Sequence, residues 1–184
     1  MTIIVYNRRG STMLIRHARA EDCAAIADIF NYAVLHTAAI WNDSTVDAEN
    51  RLAWFYQRGN AGYPVLVAQD NDKVVGYASF GDWRAFDGFR HTVEHSVYVH
   101  PEHHGKGIGR LLMEQLIAEA RKIGKHVMVA GIESQNAASV ALHHKLGFTI
   151  TAQMPQVGTK FGRWLDLTFM QLQLDTRSEP DRLP

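Results

Sequence analysis

His104-Gly105-Lys106-Gly107-Ile108-Gly109-Arg110 stands between a strand-like run, residues 91–99, and a run in which Leu112, Leu116 and Ala120 repeat at helical spacing up to Gly124. Three alternate glycines at a strand-to-helix junction let the backbone turn sharply, and let a ligand approach without Cβ atoms in the way. The unpaired N–H groups of the helix start then face an anion, aided by the helix dipole. Lys106 and Arg110 add positive charge. A diphosphate suits such a junction; a glycine-rich turn without a ligand is the plain alternative. A P-loop fails here because no Gly-Lys-Ser/Thr follows a four-residue spacer. A dinucleotide fingerprint fails too, since its third glycine would fall on Arg110 or Leu112, and Glu133 only imitates the ribose-binding acid.

Upstream of the junction, Met13–His17 reads as a strand. Glu21–Val34 places Cys23, Ile26, Ala27, Phe30 and Val34 on one helical stripe, and Ala48–Arg58 is a second helix. Val65–Ala68 and Val74–Phe80 form a hairpin about Gln69-Asp70-Asn71-Asp72. Downstream, His126–Ile132 is an apolar strand and Ala137–Leu146 a helix ended by Gly147. Phe148–Ala152 and Trp164–Leu174 close the chain as strands. The order β-α-α-β-β-β-α-β-α-β-β predicts a mixed α/β single domain over residues 13–174. Residues 1–12 read as a flexible N-terminal extension and residues 175–184 as a flexible tail.

The chain has 184 residues, 46% hydrophobic and 21% charged, with 19 basic residues balancing 19 acidic ones. Those values exclude a disordered or collagenous chain and give no blanket attraction to nucleic acid or anionic membranes. No apolar run approaches the ~20 residues that span a bilayer. One cysteine, Cys23, excludes a disulfide within the chain, and its place on an apolar stripe marks it as core. With no signal-peptide pattern at the N-terminus, the expectation is a soluble, cytoplasmic protein. His100, His103 and His104 do not form HExxH, and no spacing predicts a metal site.

Two signatures carry a resemblance to a known family. One has the form Gln/Arg-x-x-Gly-x-Gly/Ala; here it reads His104-Gly105-Lys106-Gly107-Ile108-Gly109, with His104 departing from the usual Gln or Arg. The other has the form Asn-x-x-Ala-x-x-x-Tyr-x-x-x-Gly-Phe; here Asn136, Ser139, His143 and Gly147-Phe148 fall at the right spacing, with Ser for Ala and His for Tyr. The chain thus resembles the GNAT superfamily of acetyl-CoA-dependent N-acetyltransferases. The segments AAIWNDSTVD, FGDWRAFDGFR, TVEHSVYV, VMVAGIES and QVGTKFGRWLDLTFMQ resemble its bacterial phosphinothricin, methionine sulfoximine and methionine sulfone N-acetyltransferases. The implied fold is a mixed, mostly antiparallel sheet splayed between its fourth and fifth strands and flanked by helices.

The resemblance implies that the pantetheine arm of acetyl-CoA lies in that splay, with backbone contacts at Val97, Tyr98 and Val99. A free N–H near Val99 would hold the developing oxyanion. Gly105, Lys106, Gly107, Ile108, Gly109 and Arg110 would hold the diphosphate, with Asn136 and Lys145 as further contacts. The implied reaction is direct attack of a primary amine on the thioester, which needs a base to take the ammonium proton. Glu94 is the candidate base, acting directly or through a water; its other reading is a carboxylate paired with Arg84 or Arg90. The superfamily's usual glutamate falls one residue earlier, at Val93, so alternation sends 93 and 94 to opposite faces unless a bulge intervenes, and His95 is the neighbouring candidate. His143 is the candidate proton donor to the departing thiolate; its other reading is a helix histidine bonded to a backbone carbonyl. For the acceptor, Arg84 in Trp83-Arg84-Ala85-Phe86 is the candidate carboxylate clamp, with Trp41, Phe86 and Phe89 as apolar walls and Arg90, Lys160 and Arg163 as secondary cations. The resemblance also implies a homodimer in which Gly158–Trp164 helps complete the neighbouring site. The expected activity is acetylation of small amino-acid analogues; the alternatives are a protein N-terminal or lysine acetyltransferase and a non-catalytic CoA-binding sensor.

Overall fold

In the computed structural model, which describes residues 3–6 and 12–181, the strands are β1 (Ile3–Tyr6), β2 (Thr12–His17), β3 (Val65–Asp70), β4 (Lys73–Asp82), β5 (Thr92–Val99), β6 (Val127–Glu133), β7 (Thr149–Lys160) and β8 (Arg163–Gln173). The helices are α1 (Cys23–His36), α2 (Ala48–Asn60), α3 (Ile108–Lys122) and α4 (Ala137–Lys145). One sheet of order β1-β2-β3-β4-β5-β6-β8-β7 joins all eight strands. Every neighbouring pair is antiparallel except β5 and β6, which α3 connects and which run parallel. The family's fourth and fifth strands are β5 and β6 here, because β1 precedes them.

Side-chain alternation assigns the two faces. On β6, Met128, Ala130 and Ile132 join the core beneath α3, whose Leu112, Met113 and Leu116 are fully buried with Phe80 and Val93. Each of these side chains except that of Ala130 contributes about 1.5–3 kcal/mol by leaving water. The opposite face of β3 and β4 packs Val65, Val67 and Tyr77 against Ile26 and Ile29 of α1. Cys23 is buried there, as its place on the stripe predicts, and burial pushes its thiol pKa up.

The N-terminal extension is not wholly unstructured. Ile3-Ile4-Val5-Tyr6 is a β-branched and aromatic run, and it pairs antiparallel along the open edge of β2 as Ile3↔Ile15 to Tyr6↔Thr12. The rest of the extension, residues 1–2 and 7–11, lies outside the described residues. The tail is likewise tied down as far as residue 181. Asp175 meets His126 at 2.7 Å, Arg177 donates to the Gly124 carbonyl at 2.9 Å, and Asp181 pairs with Arg90 at 2.6 Å. Residues 182–184 lie outside the described residues. β7 runs on to Lys160, eight residues past the sequence expectation. Register shifts between Ile150 and Ala152 and between Met154 and Gly158 carry the strand past Pro155.

Helix starts differ. Asp47 caps α2 by accepting from Asn50 N at 2.8 Å, and Asn136 caps α4 by accepting from Ser139 N at 3.1 Å. α3 begins at Gly107, left-handed at φ 79°, with no side-chain cap. Gly124 and Gly147, at φ 72° and 91°, follow α3 and α4.

Candidate active site

The sheet opens along one seam. β5 and β6 pair only at Thr92↔Val127, Val93↔Met128 and Glu94↔Val129, although β5 continues to Val99 and β6 to Glu133. His100 N donates to Val75 O on the β4 side, so in the antiparallel alternation Val97 and Val99 turn their backbone groups to the opposite edge, into the seam. Tyr98, between them, turns its backbone to β4, while its ring lines the cleft and stacks obliquely on Tyr77 at 5.5 Å. Burial pushes the Tyr98 phenol up to about 12.

The seam leads into a cleft of about 580 Å³ between α1, the end of β5, the start of α3 and α4. Gly105, Gly107, Ile108, Gly109 and Arg110 line it, with Asn136, Ser139 and Leu142 opposite. Gly105 and Gly107 have positive φ, 73° and 79°, and a Cβ on either would point into open space. The first bond of the α3 ladder runs from Leu111 N to Gly107 O at 3.2 Å, leaving the N–H groups of Ile108, Gly109 and Arg110 for a ligand. His104 closes the strand side of the loop, its Nε2 donating to Val99 O at 2.8 Å. Lys106 is exposed beside His103 at 3.3 Å, and Arg110 reaches Glu114 at 2.7 Å. Bare amides at one end and, at the other, a slot where β5 parts from β6 suit a diphosphate with an extended tail.

The other face of the sheet carries the acceptor candidates. Register from Gly76↔Val99 to Asp82↔Val93 is unbroken, so no bulge intervenes: Val93 enters the core and Glu94 faces away from it. Glu94 Oε1 lies 3.0 Å from where a Cβ on Gly131 would stand, so the glycine leaves room for the carboxylate. Burial pushes the Glu94 pKa up, and the Arg84 charge pulls it partly back. No ion pair within 4 Å joins Glu94 to Arg84 or Arg90 among the described residues; Arg90 is engaged by Asp181. Arg84 is exposed, its guanidinium 4.0 Å above the Trp83 ring, and Trp83 meets Phe169 of β8 edge-on at 5.2 Å.

The remaining acceptor candidates divide. Ala85, Phe86 and Phe89 are exposed on the 83–90 loop. Trp41 lies against Gly158, where any Cβ would collide with its ring, and so seats the loop after α1 on β7. Lys160 is buried and donates to the Ile40 carbonyl, and Arg163 donates to Gln135 at 3.1 Å. All three secondary cations, Arg90 included, are therefore engaged elsewhere in the fold, whereas Arg84 meets only its neighbour Trp83, over the ring and through one bond to the Trp83 carbonyl at 3.2 Å.

His143 is buried on α4, and its Nδ1 lies 2.7 Å from the Ser139 carbonyl, the plainer of its two sequence readings. Its Nε2 lies 3.0 Å from Nε2 of His95, and the two rings are nearly parallel, 14° apart, with centroids 5.0 Å apart. His95 therefore faces α4, opposite to Glu94. Both histidines line a small cavity of about 90 Å³ in the seam, together with Ser96, Gly131, Asn136 and Ser139. Asn136 spends its carbonyl oxygen on the α4 cap. Lys145 is exposed at the far end of α4 and does not line the cleft. Sequence reasoning missed Thr37, Ala38 and Ala39, which form the cleft wall after α1 and have no local pattern that announces them, and it set Glu133 aside as an imitation of a ribose-binding acid, whereas Glu133 lines both cavities.

Comparison with known proteins agrees with this geometry. The acetyltransferase (GNAT) family profile matches residues 26–148. The L-amino acid N-acyltransferase MnaT of Escherichia coli is 75% identical over 93% of this chain and 99% of its own. The L-methionine sulfoximine/L-methionine sulfone acetyltransferase of Salmonella typhimurium is 73% identical over 92% and 99%. The Salmonella typhimurium protein yncA, solved with its cofactor acetyl-CoA, superposes with a TM-score of 0.91 at 73% identity, covering 92% of this chain and 98% of that one. An uncapped helix behind a split parallel pair and a profile spanning both signatures lead to one assignment: the chain belongs to the GNAT acetyltransferase family.

Proposed function

We propose that this protein transfers an acetyl group from acetyl-CoA to the α-amine of small amino-acid analogues: methionine sulfoximine, methionine sulfone and, as a further acceptor, phosphinothricin. The observation that carries the proposal is the seam between β5 and β6, with bare helix amides at one end and Glu94 and Arg84 on the other face. The names of the two closely similar relatives support the acceptor class.

Acetyl-CoA would supply an activated thioester carbonyl. The amides of residues 108–110 hold its diphosphate, and the seam-facing edges of Val97 and Val99 align its extended arm. The Val99 N–H, turned toward the seam, would donate to the carbonyl oxygen as negative charge develops on it. Glu94 takes the proton that the α-ammonium must lose; burial makes this carboxylate a stronger base than an ordinary one, which suits it to that task. Arg84 binds the acceptor's carboxylate. Ser139 and His143 form the α4 wall of the seam, where the leaving thiolate needs a donor.

Protection from toxic amino-acid analogues in the cytoplasm is the role we assign. A homodimer would cover the apolar side chains Ile150, Met154, Val157, Phe161 and Trp164, which are exposed along β7, β8 and the turn between them. The test is release of free CoA from acetyl-CoA with methionine sulfone, a lysine peptide or an N-terminal peptide as acceptor. Turnover with the sulfone supports the proposal. Turnover with peptide alone makes the protein a protein acetyltransferase, and binding without turnover makes it a CoA sensor.

A further inference from the structure

The buried histidine pair has a proton arrangement that its partners dictate. The Ser139 carbonyl can only accept, so His143 Nδ1, 2.7 Å away, carries a proton. Burial pushes both imidazoles below the ordinary histidine range, so each carries a single proton at neutral pH. His143 Nε2 is then a bare lone pair, and His95 Nε2, at 3.0 Å, must donate to it. The same count leaves His95 Nδ1 bare, and this atom is buried with no hydrogen-bond partner among the described residues. An orphaned buried acceptor costs stability. A phenyl ring would fill the same slot without that cost, since Phe148 packs edge-on against His95 and His143 at 5.7 and 5.1 Å. The Nδ1 proton of His143 also has a second, longer arm, 3.4 Å to the Ser139 hydroxyl. That arm occupies an oxygen lone pair and leaves the hydroxyl's own proton free. Ser139 lines both the cleft and the small cavity in the seam.

We infer that His95 is a positioning residue: it locks His143 as the Nδ1–H tautomer, and His143 orients the Ser139 hydroxyl so that its proton points into the seam as hydrogen-bond donor to the thiolate sulfur. The inference rests on the proposed reaction, which places the leaving sulfur at the α4 wall. It makes Ser139 the group that touches the sulfur and His143 the residue behind it. No covalent bond to either histidine forms or breaks.

The experiment combines ¹⁵N-resolved histidine NMR with steady-state kinetics on acetyl-CoA and methionine sulfone. The spectrum of the native protein should show His143 protonated at Nδ1 and His95 at Nε2. Ser139→Ala and His95→Phe should each lower kcat about tenfold, the scale of one hydrogen bond, with the acetyl-CoA KM within twofold. The double variant should be no slower than Ser139→Ala alone, because both remove the same interaction. His95→Gln keeps an N–H that can reach His143 Nε2 and should recover part of the lost kcat. An Nε2-protonated His143, additive losses in the double variant, or full kcat in Ser139→Ala or His95→Phe would each overturn the inference. If His95→Phe does not fold, the tautomers, Ser139→Ala and His95→Gln still decide it. A native protein inactive on every amine would instead overturn the proposed function, and the two failures are distinguishable.

Discussion

Helices α3 and α4 both start at the cleft, on either side of the seam, and they finish their first turns in opposite ways. Asn136 reaches forward and satisfies Ser139 N, so α4 closes its own end. Gly107 has no side chain with which to do this, and residues 108–110, whose amides no side chain caps, line the cleft. An absent cap costs a helix about 1 kcal/mol. The contrast teaches that the unfinished end is the binding end: α4 supplies a wall, and α3 supplies the charge-sensing surface.

The strongest way to break that contrast is to make α3 resemble α4. Gly107→Asp places a carboxylate where the diphosphate would sit. We expect the acetyl-CoA dissociation constant in calorimetry to rise at least a hundredfold, because like charges now meet in the site. The melting temperature should move by only a few degrees. The strain of a left-handed non-glycine residue, roughly 1–2 kcal/mol, is offset by the carboxylate's favourable place at a helix N-terminus. Asn136→Ala runs the other way: loss of a cap worth about 1 kcal/mol lowers the melting temperature by roughly 2–4 °C in a domain of this size, with a smaller loss of affinity. Equal losses of affinity in the two variants would erase the distinction between the helix ends.

A second contrast lies across the sheet, between the amide end, which binds, and Glu94, which reacts. Glu94→Gln should lower kcat with methionine sulfone by about a hundredfold or more while the acetyl-CoA KM stays within threefold. The same substitution should stabilise the fold at neutral pH. Because burial raises the folded-state pKa of Glu94, its charged form is the disfavoured one. Stability is therefore lost as pH climbs through that raised value, and nothing is lost below the unfolded value of about 4.3. The gain in melting temperature of Glu94→Gln over the native protein should be present at pH 7–8 and vanish near pH 4. Arg84→Met removes the charge that holds Glu94 down, so the acidic limb of the kcat/KM profile should shift to higher pH. A limb that stays in place would show that Glu94 is not the group it reports.

Much of this is legible in the sequence, because the signals are local. Glycines at 105, 107 and 109 announce the bare amides, and strict alternation along residues 92–99 is enough to send Val93 and Glu94 to opposite faces. The failures share a cause: contacts between residues far apart in the chain leave no periodic trace. His95 and His143 are 48 residues apart and meet only because β5 and α4 flank the same seam. What seats Trp41 is equally hidden from the sequence: its ring lies against a glycine 117 residues later, at 158. Ile3–Tyr6 needs the free edge of β2 to become a strand, and nothing within four residues can say that the edge is open.

Lys145 gives the smallest effect and the sharpest check on where the cofactor ends. The resemblance implies a contact near the outer end of acetyl-CoA, and helix geometry argues for a weak one. Asn136, Ser139 and His143 recur at spacings of three and four and share the face that lines the seam. Lys145, two residues beyond His143, is turned about 200° from it and is exposed in the last turn. There its charge favours the helix dipole by a few tenths of a kcal/mol. From that position it can act on a diphosphate only through solvent, where charges more than about 8 Å apart are largely screened at physiological salt. Lys145→Ala should therefore change the acetyl-CoA KM by less than twofold, and raising the salt should not alter that ratio. A tenfold rise that salt abolishes would extend the anion site from the start of α3 to the end of α4, and the division of labour between the two helices would have to be redrawn.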